Sequence, residues 1–81
     1  MIKLILADDH PVFVAGLQAV FDAEEDLTVV SVAITGREAV HAATEHRPDV
    51  AVLDLNMPDG DGLWVCAQLR VAGLATRTLP G

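Results

Sequence analysis

The chain is short of positive charge. Five Lys and Arg stand against 12 Asp and Glu in 81 residues, a formal net charge of −7. Affinity for nucleic acid depends on Lys and Arg neutralising phosphates, so direct nucleic-acid binding by this chain is not expected. Cysteine is nearly absent. Cys66 stands alone, cannot form a disulfide within the chain, and fits a reducing cytoplasm. No uninterrupted apolar run approaches the roughly 18–20 residues of a membrane span, so no membrane association is expected. Met1-Ile2-Lys3 leads straight into a strand-like segment with no small-residue cleavage site, so no signal peptide is expected. Internal repeats and low-complexity stretches are also lacking.

Apolar residues are plentiful, at 52% of the chain, which argues against disorder. The length suits one small domain. Domains of this size sit at the edge of what a single core stabilises without disulfides. A compact core, a bound metal or a partner chain must supply the rest.

Ile2 to Ala7 is short, apolar and β-rich, and ends at Asp8-Asp9-His10-Pro11. It reads as a strand buried on both faces. Pro11 suits the first turn of a helix. Phe13, Leu17, Val20 and Phe21 then share a helical face at i, i+4, i+7 and i+8. Leu27 to Ala33 is a second strand. Thr35-Gly36-Arg37-Glu38 has the form of a capping box, and the helix it opens must stop before Pro48. Asp49 to Asp54 is a third strand, apolar on both faces. Met57 to Gly62 is a loop by composition. Leu63 to Ala72 is a third helix, closed by Gly73. The tail from Leu74 to Gly81 has no strand-like run. Strand–helix alternation with strands of this kind implies a parallel α/β sheet with right-handed crossovers.

The acids carry the chemistry. Asp8 and Asp9 end the first strand and Asp54 ends the third. In open parallel sheets ligands bind beyond the carboxyl ends of the strands. If the first and third strands are neighbours, three carboxylates converge. Like charges at 4 Å repel by roughly 4 kcal/mol at an effective dielectric of 20. A domain's whole stability is only about 5–15 kcal/mol. Such a site must take up a proton, stay splayed and wet, or bind a cation. Oxygen ligands alone favour Mg²⁺ over zinc.

Asp8-Asp9, Asp54 at the end of the third strand, and Asp54-Leu55-Asn56-Met57-Pro58 followed by Gly62 resemble the receiver domain of two-component response regulators. Asp9-His10-Pro11-Val12-Phe13 with Gly16-Leu17 is similar to receivers found ahead of a LuxR-type helix-turn-helix. The resemblance implies a flavodoxin-like (CheY-like) doubly wound sheet. That fold has five strands in the order 2-1-3-4-5. This sequence is expected to supply three, in the order 2-1-3, with three helices. Residues 1–73 would form a partial receiver domain and 74–81 an irregular tail. Asp54 would be the phosphoacceptor, forming an aspartyl-phosphate. Asp8, Asp9, Asp54 and the backbone carbonyl of Asn56 would hold Mg²⁺ or Mn²⁺, with Asp8 acting through water. A sensor histidine kinase or a small acyl phosphate would be the phosphodonor. The chain would not be an enzyme in the turnover sense. The alternative is a truncated receiver that carries no phosphate and serves as a protein–protein interaction module.

Several competing motifs fail. Asp54-Leu55-Asn56 begins like an EF-hand loop, but Pro58, Asp59 and Val65 occupy positions where that loop needs other residues. Asp-x-Asp phosphohydrolase chemistry needs a second acid where Asn56 stands. His10 reads as a loop or helix-start histidine, and His41 and His46 do not share a face. Cys66 reads as a small buried hydrophobe. Trp64 lies opposite the apolar face of its helix, as an incidental surface aromatic or an interface anchor. A 2-1-3 order would leave the third strand as an open edge, with Val50 and Val52 available for pairing. A homodimer or higher oligomer through that edge, through the third helix with Trp64, or through an exchanged tail from Leu74 to Gly81 is then expected.

Overall fold

The sheet is built around the first strand. In the computed structural model, which describes residues 1–80, β1 (Ile2–Ala7) lies between β2 (Leu27–Ala33) and β3 (Val50–Leu53). Both pairings are parallel, and both put strand carboxyl ends on one edge of the sheet. The connections are α1 (Pro11–Asp22) and α2 (Gly36–His46), and α3 (Gly62–Val71) leads from β3 to a fourth strand, β4 (Arg77–Pro80). The order is β2-β1-β3-β4, the doubly wound, CheY-like arrangement.

β4 corrects two expectations. Residues 77–80 of the expected irregular tail form a strand, giving four strands among the described residues in place of three. Gly81, the last residue of that tail, lies outside the described residues. β3 is also not an open edge, because Val50 pairs with Arg77 and Val52 with Leu79. The premise of association through an exposed β3 is therefore removed. The physical reason is that an outer strand needs a paired backbone more than an apolar run. Thr76 Oγ1 donates to the Pro48 carbonyl at 2.7 Å, and the Arg77 amide donates to the Asp49 carbonyl at 2.9 Å. These bonds start β4 in register. Pro80, without an N–H, stands at its end.

The two faces of the sheet are covered unequally. Ile5, Ala7, Ala51 and Leu53 pack beneath α2 and α3 in one continuous core. Ala39, Ala42 and Ala43 give α2 a narrow apolar face at i, i+3 and i+4, and Val65 and Leu69 serve α3. The small side chains let α2 approach the sheet closely. Leu4 and Leu6 alternate to the other face, with α1. On α1, Val14 is buried and Leu17 and Phe21 are partly buried, whereas Phe13 and Val20 are exposed. The buried stripe is thus rotated from the expected one, and Val14 replaces Phe13 beneath the helix. Fully burying Ile5, Leu6, Leu53 and Val65 contributes about 1.5–3 kcal/mol each. No described helix is long and apolar enough to cross a membrane.

Candidate functional site

The acids meet because β1 and β3 are neighbours. The Asp8 amide donates to the Ala33 carbonyl at 3.0 Å, and the Asp54 amide donates to the Ala7 carbonyl at 2.8 Å. These bonds extend the strand ladders by one residue and bring the carboxyl ends together. One ligand atom from each of Asp8, Asp9, His10 and Asp54 lies within 4.8 Å of the others. Asp8 is buried, Asp54 is half-buried, and Asp9 faces solvent.

His10 enters this cluster from the start of α1. It is the residue capping that helix, in extended conformation, and its side chain makes no capping bond. Its amide donates to Asp8 Oδ1 at 2.8 Å, forming a tight turn. The ring follows, so Nδ1 lies 2.6 Å from Asp8 Oδ1, 3.2 Å from Asp9 Oδ1 and 3.5 Å from Asp54 Oδ2. The hydrogen bond to Asp8, then the charges of Asp8 and Asp9, hold the His10 pKa above its ordinary value, against a smaller opposing effect of desolvation. When it carries its second proton, the ring offers the carboxylates a positive partner. From the sequence His10 reads only as a loop or helix-start histidine, without this contact. The short Asp-x-His spacing was the available signal.

The loop after Asp54 is anchored at several points. The Asn56 amide donates to Asp54 Oδ1 at 3.2 Å. Met57 is buried in the core. Gly62 has no room for a side chain, since a Cβ there would lie 2.8 Å from the Asp54 carbonyl oxygen. Asp61 caps α3, its Oδ1 accepting from the Trp64 amide at 2.8 Å. The Trp64 ring covers Gly60 while staying partly exposed. Cys66, expected to be buried, is only partly buried, and packs against the core. His41 and His46 lie on α2 and are not part of the acid cluster, and His41 Nε2 lies 3.4 Å from Glu45.

The donor set suits a hard divalent cation. Three carboxylates from two strand ends, one of them solvent-facing, leave positions for water, which Mg²⁺ retains. Asp8, Asp9 and Asp54 are therefore brought together as expected, with Asn56 two residues beyond Asp54 in the same loop. Val50, Val52 and Trp64, expected at an interface, lie respectively within the sheet and over Gly60.

The family model of the response regulator receiver domain matches residues 4–79. An uncharacterized transcriptional regulatory protein of Bacillus subtilis, YvfU, is 37% identical over 79 residues, covering 98% of this chain and 40% of that protein. The DNA-binding transcriptional activator DevR/DosR of Mycobacterium tuberculosis is 44% identical over 69 residues, covering 85% of this chain and 32% of that protein. Among solved structures, the signal receiver domain of a NarL response regulator from Mycobacterium tuberculosis superposes with a TM-score of 0.95 at 37% identity, covering 98% of this chain and 64% of that one. The response regulator domain of Thermotoga maritima CheB gives 0.92 at 30% identity, covering 99% and 59%. The chain spans less than half the length of these two curated relatives.

Proposed function

Because this chain belongs to the response regulator receiver domain family of two-component signalling, we propose that Asp54 is its phosphoacceptor and that Asp8, Asp9, Asp54 and the Asn56 carbonyl hold Mg²⁺ or Mn²⁺. The observation that carries this reading is the convergence of Asp8, Asp9 and Asp54 at adjacent strand ends. A bound cation would neutralise charge on the carboxylates and on the incoming phosphoryl oxygens.

The chain's own part is to present a nucleophile. An Asp54 carboxylate oxygen attacks phosphorus in line with the donor's leaving group. The new P–O bond to Asp54 forms as the bond to the leaving atom breaks, and the leaving group departs with the electron pair. The donor is the phosphohistidine of a partner sensor kinase or a small acyl phosphate. The Asn56 amide, already bonded to Asp54 Oδ1, orients the carboxylate. His10, when protonated, would give the acids a positive partner in the absence of a cation. The chain acts as a stoichiometric acceptor, not a turnover enzyme, in the cytoplasm. In the whole protein it serves a regulator of transcription, the role named for several relatives.

Acetyl phosphate with Mg²⁺, followed by Phos-tag electrophoresis, tests this. A retarded band from the wild type and none from Asp54→Ala is expected. No band from the wild type, or an equal band from both, refutes it.

A second reading, association with another copy, is favoured by an apolar groove below α3. Leu53, Leu55, Leu63, Cys66, Leu79 and Pro80 line it, and Leu55, Leu63 and Leu79 are exposed. Burial of such surface stabilises association by about 25 cal/mol per Å². Sedimentation at micromolar concentration decides this, and a cooperative monomer rules it out.

A further inference from the structure

The first amides of a helix have no partner within it. At α2, two of these amides go to the loop that follows Asp54. The Gly36 amide donates to the Pro58 carbonyl at 3.2 Å, and the Arg37 amide donates to the Asp59 carbonyl at 3.0 Å. The Glu38 amide donates to Thr35 Oγ1 at 3.1 Å, and the Ala39 amide to the Thr35 carbonyl at 3.0 Å. The helix start is thereby shared between its own cap and the Asp54 loop.

The contact depends on the absence of a side chain at Gly36. A Cβ there would stand 1.9 Å from the Gly60 oxygen and 2.5 Å from the Gly60 carbonyl carbon. Both are backbone atoms, so no change of rotamer relieves the overlap. Gly60 is closed from its other side, where a Cβ would lie 2.3 Å from the Trp64 ring. Asp59 and Gly60 both have positive φ, at 58° and 110°. Glycine adopts positive φ freely, so only Asp59 stores strain, and such strain persists where the surroundings over-determine it. Here α2 holds the turn on one side and the first turn of α3 on the other.

We propose that Gly36 is a positioning residue for the Asp54 site. By letting α2 seat against Pro58 to Gly60, it fixes the path of the loop and with it the Asn56 carbonyl and the Asp54 carboxylate. This inference rests on the metal and phosphoacceptor reading above for what the site binds.

The test compares wild type with Gly36→Ala in the whole chain, with Mg²⁺ alone as probe. Trp64 is the only tryptophan and touches the loop, so its emission reports loop position. Gly36→Ala is expected to keep the far-ultraviolet helical signal and shift Trp64 emission without metal. It should raise the half-saturating Mg²⁺ concentration at least tenfold. A melting temperature that falls while emission and Mg²⁺ affinity stay at wild-type values would show a merely structural role and overturn the proposal. If Gly36→Ala does not fold, hydrogen exchange in the wild type decides. Mg²⁺ should raise protection of the Gly36 and Arg37 amides together with that of Asn56. A change at Asn56 alone overturns the proposal. A wild type that ignores Mg²⁺ refutes the metal reading instead. Positioning is then judged on the metal-free emission and Asn56 exchange of Gly36→Ala, where unchanged values overturn it.

Discussion

His10 Nδ1 lies 2.6 Å from Asp8 Oδ1, and the same Asp8 oxygen also accepts the His10 amide. One buried carboxylate thus turns the chain and draws the imidazole over the neighbouring acids. Its partner, by contrast, remains largely in solvent. The arrangement ties the entrance of α1 to the charge state of the site.

Protonation should follow this geometry. The folded-state pKa of His10 is raised above 6.5, so the stability linked to its proton is fully present below pH 6.5 and is lost as pH rises through the raised value. Solvent screening keeps the effect modest. Nuclear magnetic resonance titration of the metal-free protein should find His10 above its ordinary value. Asp8→Asn should bring it down, since Asp8 is the largest cause. An unmoved His10 in that variant would contradict the assignment.

Divalent cations should raise the melting temperature. A ligand at 100 times its dissociation constant stabilises the native state by about 2.7 kcal/mol. For a domain of this size that is an upward shift on the order of 10 °C. Asp9→Ala should lose most of the dependence. Calorimetric titration gives the same comparison directly, and equal Mg²⁺ binding by both proteins would remove Asp9 from the site.

Thr35 caps α2 through its hydroxyl. Thr35→Ala should cost about 1 kcal/mol. Urea unfolding should show a lower midpoint with an unchanged slope.

Leu53 is 2% exposed and lies one residue before Asp54. Leu53→Ala should cost about 2–5 kcal/mol, through lost burial and the cavity left behind. That is a large share of a small domain's stability. A loss below about 1 kcal/mol would contradict this packing, because even a site that collapses completely forfeits the transfer free energy of the deleted atoms.

The strands β1 and β2 and the cap of α2 were legible because each is written locally. Ile2 to Ala7 and Leu27 to Ala33 are β-rich runs, and Thr35 with Glu38 marks a helix start. The acids were legible because strand ends set their position. β4 was not, because Thr76 to Pro80 lacks an apolar run and its pairing is specified by Pro48, Asp49 and β3. The exposed Phe13 was misassigned because a helical stripe defines a face only to within a residue or so. The Gly36–Gly60 contact was invisible for another reason. Capping-box sequence describes a helix start, and says nothing of the loop that meets it.

The side-by-side placement of β1 and β3 also has a kinetic meaning. Lys3 and Asp49, at the start of this pairing, are 46 residues apart in the chain and linked by a hydrogen bond. Closing a loop this long costs entropy before the contact rewards it, so we expect this pairing to form after the more local contacts of α1, β2 and α2. Repulsion among Asp8, Asp9 and Asp54 is then absent from the early part of the climb. Interactions formed after the transition state act mainly on the rate of unfolding. In a chevron experiment Mg²⁺ should therefore slow the unfolding limb and leave the folding limb nearly unmoved, so the ion would act as a latch on the finished domain and not as a seed for its assembly.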